Sequence, residues 1–239
     1  MSNKISIFKI IAIIIVSVGL YGFSYSTYEQ KELSGVNVKV YPVNQPFIDE
    51  LMITNLLTKN QDKASDELIT NLNLAKLEKQ ISQNKMVANA SVFLTVDGIL
   101  SANVYQRKPV ARLVTDEAFM YIDQKGKLMP TSANFSARVP LAYGFNETEI
   151  KKYDFIFNYI HKDQLYKKLI TEISLKKDLG IVLATRLNNF TIQLGKHENL
   201  VKKLNNFKAF YQYLNKKDQL NHYNTIDLRF GKQVIASKN

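Results

Sequence analysis

The groups that could carry chemistry are few and scattered. Three histidines stand at His161, His197 and His222, isolated from one another and without metal-ligand spacing. Each reads as a surface or helix-end residue. Cysteine is absent, which removes disulfides, thiolate zinc sites and cysteine nucleophiles together. It does not exclude export, because oxidising compartments permit disulfides without requiring them. No glycine-rich phosphate loop and no G-x-S-x-G elbow occurs. The carboxylate pairs Asp66-Glu67 and Glu147/Glu149 fall in expected loops or helix starts, where a favourable helix dipole accounts for them. Asp227 and Arg229 flank one residue on the same strand face, placed to pair with each other or to serve a partner. The expectation is a non-enzymatic protein with no catalytic residue, cofactor, metal or small-molecule substrate.

Charge narrows the partners. Lys and Arg number 32 against 21 Asp and Glu, a formal charge of +11. The basic residues are mostly lysines spread along the chain, with no Arg-rich block and no basic helix leading into heptads. Nucleic acid is therefore not expected. A dispersed positive field suits an anionic neighbour such as a membrane surface or a cell-wall polymer.

Ile5 to Tyr25 is apolar apart from Lys9 and a few serines. Twenty-one helical residues would span about 31 Å, close to the hydrocarbon thickness of a bilayer. Lys9 lies near one end, where its ammonium can reach headgroups. Tyr21, Phe23, Tyr25 and Tyr28 cluster at the other end as an aromatic belt does. Lys4 and Lys9 lie at the N-terminal flank, whereas Glu29, Lys31 and Glu32 follow the run, so the N-terminus is expected inside and the rest outside. A cleaved signal peptide is the rival reading, since Ser24-Tyr25-Ser26 offers small residues at the peptidase spacing.

The exported part, 46% hydrophobic and 22% charged over the whole chain, is globular in composition. It reads as two blocks with a seam near Lys108-Pro109. In the first, Val36, Val38 and Val40 alternate as a strand that ends at Tyr41-Pro42. Helical spacing follows over Phe47–Leu57, then a polar loop from Lys59 to Glu67, then a second helix over Leu74–Asn84. Val92, Leu94 and Val96 alternate up to Asp97-Gly98 and the chain returns over Ile99–Gln106, which predicts a two-residue hairpin turn. The order is β-α-α-β-β.

The second block predicts strands over 110–114, 119–122 and 127–129, with a turn ending at Gly126. A helix is expected over 147–161, strands over 169–175, 181–185 and 190–194, and a helix over 198–214. The stripe Leu200, Leu204, Phe207, Tyr211 and Leu214 reads as a helix packed on a sheet. Thr225–Phe230 and Gln233–Ser237 are expected as the last strands, turned by Gly231-Lys232. The last one is a candidate sheet edge with backbone groups open to another chain.

Several local stretches resemble the FtsQ/DivIB family of bacterial cell-division proteins. Gly35 and Val36–Val40 look like its opening POTRA strand. The run from Asn84 through Lys85, Met86, Val87, Ala88, Asn89, Ala90 and Ser91 to Val92 resembles the stretch before its hairpin. Gln106-Arg107-Lys108-Pro109-Val110-Ala111 resembles the seam into its β domain, and Tyr121-Ile122-Asp123-Gln124-Lys125-Gly126 resembles the first turn there. Ile226-Asp227-Leu228-Arg229-Phe230 looks like the terminal "V-D-L-R-Y" strand. Met86-Val87 stands where the family often has an aromatic-proline pair, and the expected cytoplasmic tail is very short.

The resemblance implies an α+β protein: cytoplasmic tail 1–4, transmembrane helix 5–25, linker 26–35, POTRA domain 36–107, and a mixed β domain with packed helices over 108–239. It further implies a single-pass inner-membrane scaffold at the division septum, with its C-terminal domains periplasmic. Such scaffolds bind small bitopic proteins of FtsB/FtsL type and link the early divisome to the septal cell-wall synthase complex. By position, strand addition would fall on Phe230, Gly231, Lys232, Gln233, Val234, Ile235 and Ala236, with Arg229 available to a partner carboxylate. The alternatives are a POTRA-bearing protein of translocation or envelope assembly, or an exported cell-wall enzyme.

Overall fold

A computed structural model describes residues 2–29, 33–58, 72–186, 190–230 and 233–238, with 2–8 and 24–29 as backbone only. The chain divides into two compact units, Met1–Gln106 and Arg107–Asn239.

In the first unit, helix α1 runs from Ser2 to Glu29. Its described side chains from Ile10 to Phe23 are exposed and apolar apart from Ser17, with Ile13 and Ile15 at 65% each. Among the described residues no helix is long and apolar enough to cross a membrane. The membrane span expected over 5–25 is thus not found among the described residues; what is found there is the helix.

After α1 come strand β1 (Gly35–Tyr41), helices α2 (Glu50–Thr58) and α3 (Leu74–Ser82), and strands β2 (Val87–Leu94) and β3 (Ile99–Gln106). The β-α-α-β-β order read from the sequence is present. The strands lie in the order β1-β3-β2. β1 runs parallel to β3, and β2 antiparallel to it. A parallel pair needs a crossover, which the two helices and the hairpin supply. Ile53, Leu57, Leu77 and Ile81 from the helices are buried, as are Val40, Val92, Leu100 and Val104 from the strands.

Two details depart from the expectations. Helix α2 begins at Glu50, three residues later than expected, because the Ile48 N–H donates to the Gln106 side chain (2.9 Å). Asp49 then stands just before the helix as its cap, its carboxylate accepting from the Leu51 N–H, and Glu50 takes the first turn. The hairpin turn is also longer than the expected two residues. The Thr95 N–H donates to the Ile99 carbonyl, leaving Val96, Asp97 and Gly98 as the loop. Only Gly98 has positive φ, at 82°, which fits a three-residue turn with glycine in the left-handed position. The polar stretch expected as a loop over 59–67 lies outside the described residues.

The second unit is built on a nine-stranded sheet. Its strands are β4 (Pro109–Val114), β5 (Phe119–Asp123), β6 (Leu128–Pro130), β7 (Leu141–Tyr143), β8 (Ile170–Lys176), β9 (Gly180–Thr185), β10 (Thr191–Gly195), β11 (Tyr223–Asp227) and β12 (Ile235–Lys238). They lie in the order β12-β11-β10-β9-β8-β7-β4-β5-β6.

Helix α4 (Glu147–Lys162) opens on a capping box, Asn146 with Glu149, that satisfies two otherwise unpaired amides. Short helix α5 (Gln164–Leu169) is capped by Asp163, and α6 (Leu200–Lys216) follows β10. Buried Ile150, Ile156, Phe157 and Ile160 of α4 join Leu204 and Phe207 of α6 in one core with Ile173, Leu183, Ile192 and Ile226 of the sheet. The Tyr166 and Phe207 rings lie 5.9 Å apart, and Phe190 and Phe207 6.2 Å. The sequence reading lacked β7, α5 and a 3-10 turn at Leu220–His222, all too short to show a period.

Candidate functional site

The residues singled out from the sequence lie where β11 gives way to β12. Alternation carries β11: Ile226 is fully buried, while Thr225 and Asp227 on either side are half-exposed. The strand stops at Asp227, three residues before the expected end at Phe230. Its carboxylate accepts the backbone N–H of Arg229 at 2.9 Å, a local turn that competes with the ladder. The Leu228 N–H still reaches the Gln193 carbonyl at 2.9 Å, and its side chain is buried.

Arg229 folds back onto Asp227. Nε lies 3.0 Å from each carboxylate oxygen and Nη2 lies 2.6 Å from Oδ2. These hydrogen bonds hold the Asp227 carboxyl below its ordinary range, against the opposing pull of burial. The same contact raises the Arg229 guanidinium. Of the two roles the sequence allowed this pair, pairing with each other is the geometry found, so the guanidinium expected to meet a partner carboxylate already faces one. The Arg229 stem crosses Gly195: a Cβ there would sit 2.8 Å from Arg229 Cγ. Sequence reasoning did not foresee that contact, and a glycine closing a strand was its one visible sign.

Phe230 is 61% exposed, its ring 5.9 Å from the Arg229 guanidinium. Gly231 and Lys232, expected to turn the chain and to touch a partner, lie outside the described residues. Gln233 is exposed and Val234 half-buried, both before the strand. β12 begins at Ile235, two residues later than expected, and pairs antiparallel with β11: Asp227 with Ile235, Ile226 with Ala236, Thr225 with Ser237. Val234 and Ala236 pack against the core, whereas Ile235 is 42% exposed.

β12 stands at one end of the strand order, so its outer backbone groups face no strand of this sheet. The other end is β6, three residues long and finished by Pro130, which has no N–H to offer. The first unit also has outer strands, β1 and β2. Two exposed apolar side chains flank the approach to β12: Phe230, three residues after β11 ends, and Ile235, the first residue of β12.

The remaining candidates stay apart. His161 ends α4, where burial and then Lys167, Lys108 and Lys162 hold its imidazole below the usual value. His197 meets the Tyr153 ring edge-on at 6.4 Å. His222 is exposed beside β11. Among the described residues no group of three or more His, Asp or Glu could hold a metal ion.

Two comparisons with known families bear on this arrangement. A family model described as FtsQ/DivIB, C-terminal related, matches residues 108–237, more than half of the chain. A POTRA-like domain model matches residues 34–105. A search of curated proteins finds no match.

Proposed function

This chain belongs to the FtsQ/DivIB family of cell-division proteins, and from that premise we propose that it is a non-enzymatic divisome scaffold that captures a small bitopic protein of FtsB/FtsL type by strand addition to β12. The partner strand lies along the outer side of β12, where main-chain hydrogen bonds give affinity. Phe230 and Ile235 supply the apolar contacts that select the partner. Val234 and Ala236, turned toward the core, hold β12 in register. Through this complex the protein links early components to the septal cell-wall synthase complex.

In the same reading, α1 anchors the protein in the inner membrane as a single pass, with the N-terminus cytoplasmic and both folded units periplasmic. A helix whose exposed side chains from Ile10 to Phe23 are nearly all apolar calls for a non-aqueous surrounding. Lys4 and Lys9 at its N-terminal flank, against Glu29, Lys31 and Glu32 beyond it, set the orientation.

The observation that carries the proposal is the position of β12 at the open end of a nine-stranded sheet whose opposite end is blunted by Pro130. Proline substitution tests it. Adjacent residues of an edge strand point their N–H groups to opposite sides. Of Ile235→Pro and Ala236→Pro, one removes a donor facing the partner and the other a bond to β11. Both variants are expected to lose pull-down of the bitopic partners from solubilised membranes. Undiminished pull-down by both would refute strand addition at β12.

A further inference from the structure

A second feature of the β-rich unit lies away from the outer side of β12, at the end of the sheet where β8 turns into β9 and β10 ends. A basin of about 760 Å3 opens there. Gly180 and Gly195 line it and lie against each other: a Cβ on Gly180 would sit 2.5 Å from the Gly195 carbonyl carbon and oxygen. Lys176 ends β8 and Lys177 follows it. Lys196 follows β10, while Lys152 reaches in from α4 and Lys203 from α6.

Lys203 is the unusual member. The residue is only 5% exposed. Nζ donates to the Leu194 carbonyl at 2.8 Å and reaches the Lys196 carbonyl at 3.4 Å. Among the described residues it forms no ion pair, nor do Lys152, Lys176, Lys177 or Lys196. A buried ammonium without a counter-ion is costly, and two carbonyl dipoles offset that only in part. Burial accordingly holds the Lys203 amine below its usual value, with Glu198 and Asp227 pulling the other way.

The charges in the basin do not balance. Glu149, Asp178 and Glu198 line it against the five lysines, and Arg229, also at its wall, is taken up by Asp227. Two positive charges remain over. A carboxylate would cancel only one of them, and planar carboxylates are matched best by the arginine fork. A cluster of ammonium groups, each a point charge with three donors, suits a tetrahedral dianion.

We propose that this basin binds a phosphate dianion, with Lys203 at its floor and Lys176, Lys177 and Lys196 around its mouth. The site is independent of strand addition: it needs neither β12 nor a bitopic partner. The group comes either from a soluble phosphate or from the headgroup of a phosphomonoester lipid, and the chemistry of recognition is common to both.

The test titrates inorganic phosphate into the full chain in maltoside detergent at low salt, following binding by calorimetry, with acetate as the carboxylate control. Saturable binding of phosphate, with none of acetate, is expected. Lys176→Ala/Lys177→Ala/Lys196→Ala should weaken it by about tenfold or more. These side chains lie at the mouth, so folding should survive; Lys203→Met is the second variant, expected to abolish binding if it folds. Nanodiscs of phosphatidylcholine with and without phosphatidic acid then identify the source. Displacement of bound phosphate only in the doped discs assigns the lipid headgroup, and no displacement assigns a soluble phosphate. Absence of saturable binding, equal binding of acetate, or an unchanged affinity in the triple variant would overturn the proposal.

Discussion

Gln106, the last residue of β3, is 3% exposed and ties the loop before α2 to the sheet. Its Oε1 accepts the Ile48 N–H at 2.9 Å, and its Nε2 donates to the Gln45 carbonyl at 3.2 Å and the Pro42 carbonyl at 3.5 Å. Gln106→Leu keeps the shape and removes all three bonds. The two carbonyls retain a partner each, since Gln45 accepts from the Phe47 N–H and Pro42 from the Gln45 N–H. Ile48 is 2% exposed, so its N–H is left buried with no acceptor. One such donor costs about 1–3 kcal/mol, and the lost carbonyl bonds add little because both were long. Taking about 2 kcal/mol, the unfolding transition of a unit this size falls by roughly 8–16 °C. Calorimetry of the full chain resolves this if the two units melt separately, and hydrogen exchange of the 42–52 peptide reads it directly. Exchange there should speed up while the 107–239 peptides are unchanged. A Gln106→Leu protein with unaltered protection at 42–52 would refute the reasoning.

Further outcomes follow from the β-rich unit. The Asp227 carboxyl should titrate below its ordinary 3.8, because Arg229 hydrogen bonds lower it in the folded state. Its contribution to stability is therefore complete above that value and lost as pH falls through the folded midpoint. Carbon NMR of the carboxyl, and a flatter acid limb in Asp227→Asn, check this; a midpoint at or above 3.8 would contradict it. Gly180→Ala combines a φ of +69° with a Cβ 2.5 Å from Gly195 backbone. The left-handed conformation alone costs about 1–2 kcal/mol, and the backbone displacement adds to it. Chemical denaturation should show at least that loss, and neutrality would mean the two strands do not approach so closely. Tyr166, fully buried, donates its hydroxyl to the Leu204 carbonyl at 2.6 Å. Tyr166→Phe should cost about 1 kcal/mol in the same assay.

The parts of the fold that were legible in the sequence are those with a long enough period. The α4 stripe of Ile150, Tyr153, Phe157 and Ile160 and the α6 stripe ending at Leu214 both bury the face that the spacing assigned. Alternation likewise located β1 and the end of β2, and the Asp97-Gly98 turn located β3. Where boundaries moved, a side chain distant in sequence or a local turn was responsible. Gln106, 58 residues on, draws Ile48 out of helix α2. Asp227 stops β11 by accepting from Arg229. β7 is three residues long and is held by β4 and β8 on either side, so nothing local marks it.

At the candidate site, the Asp227–Arg229 pair was visible as two residues on one strand face. The passage of Arg229 across Gly195 was not, because it depends on β10 and β11 lying side by side in parallel. Lys203 looks in the sequence like any other lysine of a basic helix. Only the fold turns it inward, toward the carbonyls that end β10.

Amide exchange of β12 in the presence of a bitopic partner tests the central claim most directly. On binding, the amides of Ile235–Lys238 that face away from β11 should exchange at least about tenfold more slowly, as they do when a new strand pairs with them. Complex formation with those amides exchanging as fast as before would contradict the account.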